Sequence, residues 1–369
     1  MRDDNHPGPS GPPVPSDPLP HGGNLAAAEA LYGPPRQGWV DLSTGINPHP
    51  YPVGEIGAEA FSRLPDEAAG DGLLRAARDY YSAPGINAIV AAPGTQALIQ
   101  WLPRLRPRSR VCVVGPTYGE HARAWRDAGH DVVEAALPEQ APGDTDVLVV
   151  VNPNNPDGAR HAPGGLIETA RRLASRGGWL IVDEAFGDVT PELGLAAHCQ
   201  LDGLVLLRSF GKFFGLAGLR LGFALTGPEM AGRLNQAMGP WAVSGPAAAV
   251  GAPALLDTAW IQGTRETLAA GMRRLEALLA DNGLDIAGGT DLFALTHSDQ
   301  AGALHRHLAR NGIWTRVFPD HPAWIRFGLP GAPNTGGGWK RRLQAGRTRP
   351  HDNAPGRRTG IRFFSRRAI

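Results

Sequence analysis

The lysines of this sequence are its clearest chemical signal. Only two of the 369 residues are Lys, Lys212 and Lys340, against 34 Arg. A lysine amine can lose its proton and form a Schiff base with a carbonyl compound, whereas a guanidinium cannot. Lys212 stands in the glycine-rich run Arg208-Ser-Phe-Gly-Lys-Phe-Phe-Gly-Leu-Ala-Gly-Leu-Arg220, directly after an apolar run. We therefore take Lys212 as a candidate catalytic amine, with a surface lysine in a flexible loop as the alternative.

Three further polar segments each follow an apolar run. Pro93-Gly-Thr-Gln-Ala97 precedes a helical pattern, so its backbone N–H groups could bind a phosphate at the start of a helix. Residues 152–158, Asn-Pro-Asn-Asn-Pro-Asp-Gly, are rich in turn formers. Asp183 ends a third run, where a buried carboxylate requires a partner. An ordinary capped helix and an ordinary turn are the alternatives for the first two segments.

The elements that must position these residues follow from the apolar pattern. Continuous apolar runs separated by helical patterns indicate an α/β protein with a mostly parallel sheet flanked by helices. Catalytic loops are then expected at the carboxyl ends of the strands. A segment from about Ser244 to Leu329 has more helix and then short strands, which indicates a smaller α+β domain. The pattern predicts strands at 88–92, 111–114, 147–151, 179–182, 204–207, 292–295 and 324–327, and helices at 96–102 and 166–175.

The Lys212 segment resembles the lysine motif of fold-type I pyridoxal 5'-phosphate enzymes, and the resemblance covers most of residues 21–330. It implies an aspartate-aminotransferase-like fold with a large domain that binds this cofactor. By resemblance, Lys212 and Asp183 are catalytic: Lys212 forms the Schiff base and Asp183 pairs with the pyridine nitrogen. An opposed carboxylate favours the protonated ring, which is the better electron sink. The implied cofactor-binding residues are Gly94, Thr95, Gln96, Tyr118, Asn155, Asp183, Ser209, Lys212 and Arg220.

Several positions depart from the pattern of the family. Gly211 stands where relatives often have a hydroxyl residue, and Asp157 replaces a usual Thr. Phe186 stands where many aminotransferases have a Tyr that contacts the phenolic oxygen of the cofactor. Leu64 stands where relatives commonly have a Tyr that reaches the cofactor phosphate across a dimer. The resemblance still implies a homodimer, but it assigns no such contact to Leu64.

The substrate residues are also implied by resemblance. Arg326, in Trp-Ile-Arg-Phe-Gly, resembles a carboxylate-binding arginine suited to bidentate contact, and Arg316 resembles a second anion contact. For either, a surface arginine is the alternative. Asn155 is expected to reach the substrate as well as the cofactor.

The N-terminal segments point to one branch of the family. His21-Gly-Gly-Asn-Leu25 and Asp41-Leu-Ser-Thr-Gly-Ile-Asn-Pro48 look like threonine-phosphate decarboxylases of cobalamin biosynthesis. In that branch His21 and Asn47 are candidate substrate contacts. The implied reaction converts L-threonine O-3-phosphate, a phosphorylated amino acid, to (R)-1-aminopropan-2-yl phosphate and CO2. A histidinol-phosphate-type aminotransferase is the nearer alternative. A non-catalytic protein of the same fold is the more distant one.

Composition and spacing suggest a division into five parts. We expect a disordered, proline-rich extension at 1–20, an N-terminal segment of the substrate site at 21–44, a large cofactor-binding domain at 45–243 and a small domain at 244–330. The tail at 331–369 carries ten of the 36 basic residues and one acidic residue. It lacks the apolar period of a packed helix, so we expect a disordered or frame-shifted tail, with a nucleic-acid-binding tail as the alternative.

Other features exclude some classes of protein. No apolar run approaches the ~20 residues that span a bilayer, and the N-terminus has no signal-peptide core. Cys112 and Cys199 are isolated, which predicts neither a disulfide framework nor a metal site. Outside the tail the chain is mildly acidic, so we expect no nucleic-acid partner for the body of the protein. These features fit a cytoplasmic enzyme without a metal.

Overall fold

The structure is a computed structural model that describes residues 21–331 of the 369. The extension predicted at 1–20 lies outside the described residues, as does all of the predicted tail except Gly331. In the described part, no helix is both long and apolar enough to cross a membrane.

Eleven α-helices and thirteen strands are described between residues 21 and 331. The helices are α1 (Leu25–Tyr32), α2 (Glu59–Ser62), α3 (Glu67–Tyr81), α4 (Thr95–Trp101), α5 (Glu120–Asp127), α6 (Pro163–Ala174), α7 (Phe210–Phe213), α8 (Pro228–Met238), α9 (Gly245–Leu256), α10 (Thr258–Asp281) and α11 (Ala301–Arg310). The strands are β1 (Val40–Asp41), β2 (Ile89–Ala92), β3 (Arg110–Val114), β4 (Asp131–Ala135), β5 (Val147–Val151), β6 (Trp179–Asp183), β7 (Leu204–Ser209), β8 (Gly222–Thr226), β9 (Asp285–Thr290), β10 (Phe293–His297), β11 (Ile313–Trp314), β12 (Arg316–Phe318) and β13 (His321–Gly328).

The large sheet has seven strands in the order β2-β8-β7-β6-β5-β3-β4. All neighbouring pairs are parallel except those that β8 makes with β2 and β7. The predicted α/β fold with a mostly parallel sheet is therefore confirmed. The antiparallel β8 was not predicted, because a five-residue apolar run carries no information about strand direction.

Both faces of the large sheet are covered, which explains the unbroken apolar runs. In β5, Leu148 and Val150 pack into one hydrophobic core, while Val147 and Val149 pack into a second core on the opposite face. Alternate residues of a strand point to opposite faces, so a strand buried on both sides must be apolar throughout. The first core also contains Phe293 and residues of the small sheet described next.

The small sheet is antiparallel, with the strand order β12-β13-β10-β9. A separate pair joins β1 to β11, with Val40 opposite Ile313, and so ties the N-terminal segment to the chain near the small sheet. The strands β9 to β13 lie within the segment from about 244 to 329, where short strands were predicted, whereas β1 lies outside it. The domain limits at 44, 243 and 330 stay predictions.

The register of the large sheet brings the candidate residues together. Val151 of β5 lies opposite Asp183 of β6, and Asp183 lies opposite Leu207 of β7. The chain leaves these three strands on one edge, where the Asn152 N–H donates to Asp183 O at 2.9 Å. Segments far apart in sequence therefore meet at this edge.

Candidate active site

Lys212 lies in α7, a single helical turn that follows β7 directly. The turn is held in place by the segment around Asn47. The Asn47 N–H donates to Lys212 O at 2.9 Å, and Asn47 Nδ2 donates to Phe213 O at 2.8 Å. Burial, and then the positive charge of Arg326, lower the pKa of Lys212 from 10.5 to about 8. The amine is therefore much closer to its neutral, nucleophilic form at physiological pH than an ordinary lysine.

Asp183 is buried at the end of β6, with 3% of its surface exposed, and both carboxylate oxygens have partners. The Ala185 N–H donates to Oδ1 at 2.9 Å, and Oδ2 lies 2.8 Å from His121 Nε2. His121 is therefore one partner of the Asp183 carboxylate. The sequence analysis predicted that Asp183 has a partner but did not identify His121. His121 is the second residue of α5, and nothing in the local sequence pattern distinguishes it from its polar neighbours.

A concave site for an anion forms where α4 begins. Gly94 has φ 84°, and a Cβ atom there would lie 2.6 Å from Arg220 Nη2. A Cβ atom on Gly222 would lie 2.7 Å from the backbone N of Thr95. Ser209 of β7 lies opposite Gly222 of β8. The structure thus brings together the start of α4, the end of β7 and the guanidinium of Arg220, and glycines provide the space between them.

Tyr118, Gln96 and His21 meet around a carboxylate that sequence reasoning did not single out. Glu120 Oε1 lies 3.2 Å from His21 Nε2, and Gln96 Nε2 donates to Glu120 Oε2 at 3.1 Å. The Tyr118 hydroxyl donates to Gln96 Oε1 at 3.3 Å. Burial, followed by the charges of Glu120 and Asp183, raises the pKa of Tyr118 to about 12. The tyrosine is therefore a neutral hydrogen-bond donor here.

Asn155 and Arg326 come into direct contact, although 171 positions separate them in sequence. Arg326 Nη1 donates to Asn155 Oδ1, and Nη2 donates to Ser43 O at 2.9 Å. Arg326 Nε is buried without a hydrogen-bond partner among the described residues. Burial, and then the neighbouring Arg316, lower the pKa of Arg326 to about 9. A buried cation with an unused donor is suited to binding an anionic ligand.

Arg316 lies on β12 directly opposite Arg326 on β13. Its guanidinium is 5.3 Å from the centre of the Phe318 ring, and burial lowers its pKa. Partners in an antiparallel pair point to the same face of the sheet. Both predicted substrate arginines are therefore on one face.

Three other residues singled out in the sequence have clear positions. Asn47 is 2% exposed, and its side chain also accepts from the His49 N–H at 2.8 Å, so it supports the Lys212 turn. Its contact with substrate stays a prediction. Phe186 is buried, with its ring 5.6 Å from Lys212 Nζ. Leu64 is 65% exposed.

A buried ionic cluster lies beside the site and was not predicted. Arg208 Nη1 donates to Glu184 Oε2 at 2.7 Å, and Nη2 donates to Asp188 Oδ1 at 2.5 Å. The guanidinium lies 4.5 Å from the Tyr81 ring. Glu184 follows Asp183, and Arg208 precedes Ser209, so the cluster joins the ends of β6 and β7. It therefore ties the segment that follows Asp183 to the end of the strand that precedes Lys212.

This combination of fold and site defines a fold-type I pyridoxal-phosphate enzyme. Asp183 and Arg220 lie near the Lys212 amine where β6 and β7 of the large sheet end, and Arg326 approaches the same amine from the small sheet. The chain belongs to the aminotransferase class I and II family, whose model matches residues 73–335.

Comparison with known proteins narrows the relationship. The chain is 48% identical over 314 residues to a threonine-phosphate decarboxylase of Pseudomonas aeruginosa, a match that covers 85% of this chain and 93% of that protein. It is 44% identical over 328 residues to one of Sinorhizobium sp, covering 87% and 96%. A solved histidinol-phosphate aminotransferase from Clostridium acetobutylicum matches with a TM-score of 0.72 and 21% identity, covering 82% of this chain and 98% of that one. At that identity the structural match supports the predicted fold alone.

Proposed function

We propose that the protein is a pyridoxal-phosphate-dependent decarboxylase that converts L-threonine O-3-phosphate to (R)-1-aminopropan-2-yl phosphate and CO2 in cobalamin biosynthesis. The observation that carries this proposal is the 48% identity to a threonine-phosphate decarboxylase across nearly all of that protein. The closeness of Asp183, Arg220 and Arg326 to the Lys212 amine also supports it. A histidinol-phosphate aminotransferase is disfavoured, because such an enzyme from Cupriavidus pinatubonensis is 32% identical over only 217 residues, or 56% of this chain.

The residues of the site fit pyridoxal phosphate. The space next to Gly94, which a Cβ atom would fill, lies against the guanidinium of Arg220 and suits the phosphate group. Thr95, Gln96 and Ser209 line the same region. Asp183, oriented by His121, offers a buried carboxylate to the pyridine nitrogen. Lys212 offers an amine whose lowered pKa suits attack on an aldehyde.

The roles of the catalytic residues follow from this placement. Pyridoxal phosphate supplies an electron sink for the electron pair left at Cα when CO2 departs. Asp183 holds a negative charge beside the ring nitrogen and so favours that sink. The Lys212 amine is the group that would return a proton to Cα. Tyr118 would pack against the cofactor ring, and Asn155 would bind its phenolic oxygen.

Substrate orientation decides between decarboxylation and transamination. For decarboxylation, the residues of the site would have to hold the substrate carboxylate in one fixed orientation. Arg326 and Arg316 supply cationic groups on one face for this purpose. His21 and Asn47 come from the N-terminal segment and are the proposed partners of the rest of the substrate. Two separate anion sites allow binding energy to fix the geometry of the scissile bond.

A direct product assay tests the function. The holoenzyme is incubated with L-threonine O-3-phosphate, and both CO2 and the amino-alcohol phosphate are measured. We expect equal amounts of the two products. Plain L-threonine is the matched control and should lose turnover as well as affinity, because it lacks the phosphate. Faster turnover of histidinol phosphate with 2-oxoglutarate would replace this proposal with the aminotransferase alternative.

A homodimer is the proposed assembly. Phe61, Leu64 and Trp241 are each more than half exposed. Close packing of Gly245 against Ala60 brings their two segments into one region. Large exposed apolar side chains in one region favour a protein interface. Light scattering should give twice the chain mass, and Phe61→Asp should shift the protein toward the monomer. A wild-type monomer at micromolar concentration would contradict this proposal.

A further inference from the structure

Glu120 is a carboxylate in a site that otherwise collects anion-binding groups. Its side chain is only 10% exposed, at the start of α5. Its negative charge raises the pKa of Tyr118, while the positive charge of Arg220 lowers the same pKa, so both groups lie near this tyrosine. An isolated carboxylate here would repel an anionic substrate. The structure must therefore offset its charge or use it.

Both oxygens of Glu120 are bonded to residues of the site. His21 Nε2 lies 3.2 Å from Glu120 Oε1, and Gln96 Nε2 donates to Glu120 Oε2 at 3.1 Å. An ionised carboxylate only accepts hydrogen bonds, so the Gln96 amide must present its NH2 group to Glu120. Gln96 Oε1 then faces the Tyr118 hydroxyl at 3.3 Å. The charge of Glu120 thus fixes which atom donates and which accepts in the hydrogen bonds that link Glu120, Gln96 and Tyr118.

The contact with His21 leaves one nitrogen of the imidazole available. The side chain of His21 is 49% exposed, and Nδ1 has no hydrogen-bond partner in residues 21–331. A doubly protonated ring donates from both nitrogens. With Nε2–H directed to Glu120, such a ring can donate Nδ1–H to an anion. The carboxylate and the imidazolium then form a neutral pair, which removes the repulsion.

The segment that carries His21 is also joined to Arg326. The Gly23 N–H donates to Ser43 Oγ at 2.7 Å, and the same serine accepts from Arg326 Nη2 through its backbone oxygen. A Cβ atom on Gly22 would lie 2.3 Å from Ser43 O, so the two segments pack closely. Glu120 at one end and Ser43 at the other therefore hold His21 between the cofactor region and Arg326.

We propose that Glu120 is a positioning residue that fixes His21 as the donor to the phosphate of the substrate. Through Gln96 it also fixes Tyr118. This inference rests on the proposed function, because it assigns a phosphorylated substrate to the site. It predicts that Glu120 acts on substrate binding through His21 and has little effect on the chemical step.

Steady-state kinetics of the holoenzyme with L-threonine O-3-phosphate test the proposal. Glu120→Gln keeps the size of the side chain but removes the charge. We expect KM to rise about tenfold, the scale of a lost hydrogen bond to a charged group. We expect kcat to change less than about threefold, since Lys212 is untouched. Glu168→Gln, on the exposed face of α6, is the matched control and should behave as wild type.

A double-mutant cycle identifies the route of the effect. His21→Asn alone should raise KM about as much as Glu120→Gln, and the two together should raise it no further. Additive effects would overturn the proposal, as would a lower KM in Glu120→Gln. If Glu120→Gln does not fold, His21→Asn still decides, because an unchanged KM in that variant excludes a role for His21.

Binding of inorganic phosphate tests the role of Glu120 independently of the proposed enzymatic function. Calorimetric titration of the holoenzyme with phosphate needs no turnover. We expect Glu120→Gln and His21→Asn to weaken phosphate binding by similar factors of about ten. If wild type binds phosphate in this manner but does not decarboxylate threonine phosphate, the proposed function fails and the role of Glu120 stands. Equal phosphate affinity in wild type and Glu120→Gln overturns the role of Glu120.

Discussion

Arg316 and Arg326 lie directly opposite each other in the antiparallel pair of β12 and β13. Two like charges in this arrangement repel each other and weaken the pairing of the strands. The pKa of Arg326 reflects this repulsion, because the charge of Arg316 is the second cause, after burial, that lowers it. An anion between the two guanidinium groups would relieve the repulsion. The register of this small sheet therefore favours an occupied anion site.

Removal of Arg326 should weaken transition-state binding. For Arg326→Ala we expect kcat/KM for threonine phosphate to fall about a hundredfold, on the order of 3 kcal/mol, the scale of a charge-assisted pair. Arg326→Lys should recover only part of this loss, because an ammonium cannot make the bidentate contact. Arg310→Gln, at the exposed end of α11, is the control. A kcat/KM within threefold of wild type for Arg326→Ala would refute the assignment.

Lys212 should be the only residue that binds the cofactor covalently. Borohydride reduction of the holoenzyme, followed by peptide mass spectrometry, should place the cofactor on Lys212. Lys212→Ala should lose the absorbance of covalently bound cofactor and all turnover, while it still binds pyridoxal phosphate reversibly. The natural control is Lys340, the other lysine of the sequence. Cofactor trapped on Lys340 would show that the assignment is wrong.

The lowered pKa of Lys212 predicts a pH dependence for cofactor capture by the apoprotein. Only the neutral amine attacks an aldehyde, and its fraction grows as pH rises toward the pKa of about 8. About one-tenth of the amine is neutral at pH 7, far more than for a lysine with the ordinary pKa of 10.5. Stopped-flow absorbance should show a rate that rises with pH and levels above about 8. A continued rise to pH 10 would indicate an ordinary amine.

The ionic cluster of Arg208, Glu184 and Asp188 should dominate the local stability. Arg208→Met removes the shared cation and leaves two buried carboxylates. We expect the free energy of unfolding to fall by about 3–5 kcal/mol, the usual cost of breaking a buried pair. Urea unfolding followed by circular dichroism measures this change.

The control for this prediction is an exposed ion pair. Arg126 Nη2 lies 3.0 Å from Glu134 Oε1, with both side chains about half exposed. Arg126→Met should cost less than about 1 kcal/mol. Equal losses for the two variants would mean that the buried cluster contributes no more than a surface pair.

The chemistry-bearing residues at strand ends were predictable, whereas their supporting partners were not. Lys212 and Asp183 follow apolar runs, and the carboxyl ends of parallel strands must share one edge. His121 and Glu120 stand on a helix among other polar residues, and nothing in the local pattern distinguishes them. Their partners lie 62 and 99 positions away in the chain. Only tertiary structure brings such pairs together.

The ionic cluster illustrates the same limit. Arg208 precedes the lysine motif and reads as an ordinary residue of a glycine-rich segment, while Glu184 reads as the neighbour of Asp183. Their contact depends on the alignment of β6 with β7, which the sequence does not encode locally. Asn47 was singled out for the substrate, yet its described contacts hold the Lys212 turn. A residue type can indicate a polar role without indicating its partner.

Arg220 has φ 55°, in the left-handed region that residues other than glycine rarely adopt. This conformation costs roughly 1 kcal/mol and places the guanidinium against the space beside Gly94. Glycine at position 220 would relax the backbone and delete the contact at the same time. The position therefore sets up a trade-off between stability and activity. A screen for heat resistance alone would not detect the loss of this guanidinium.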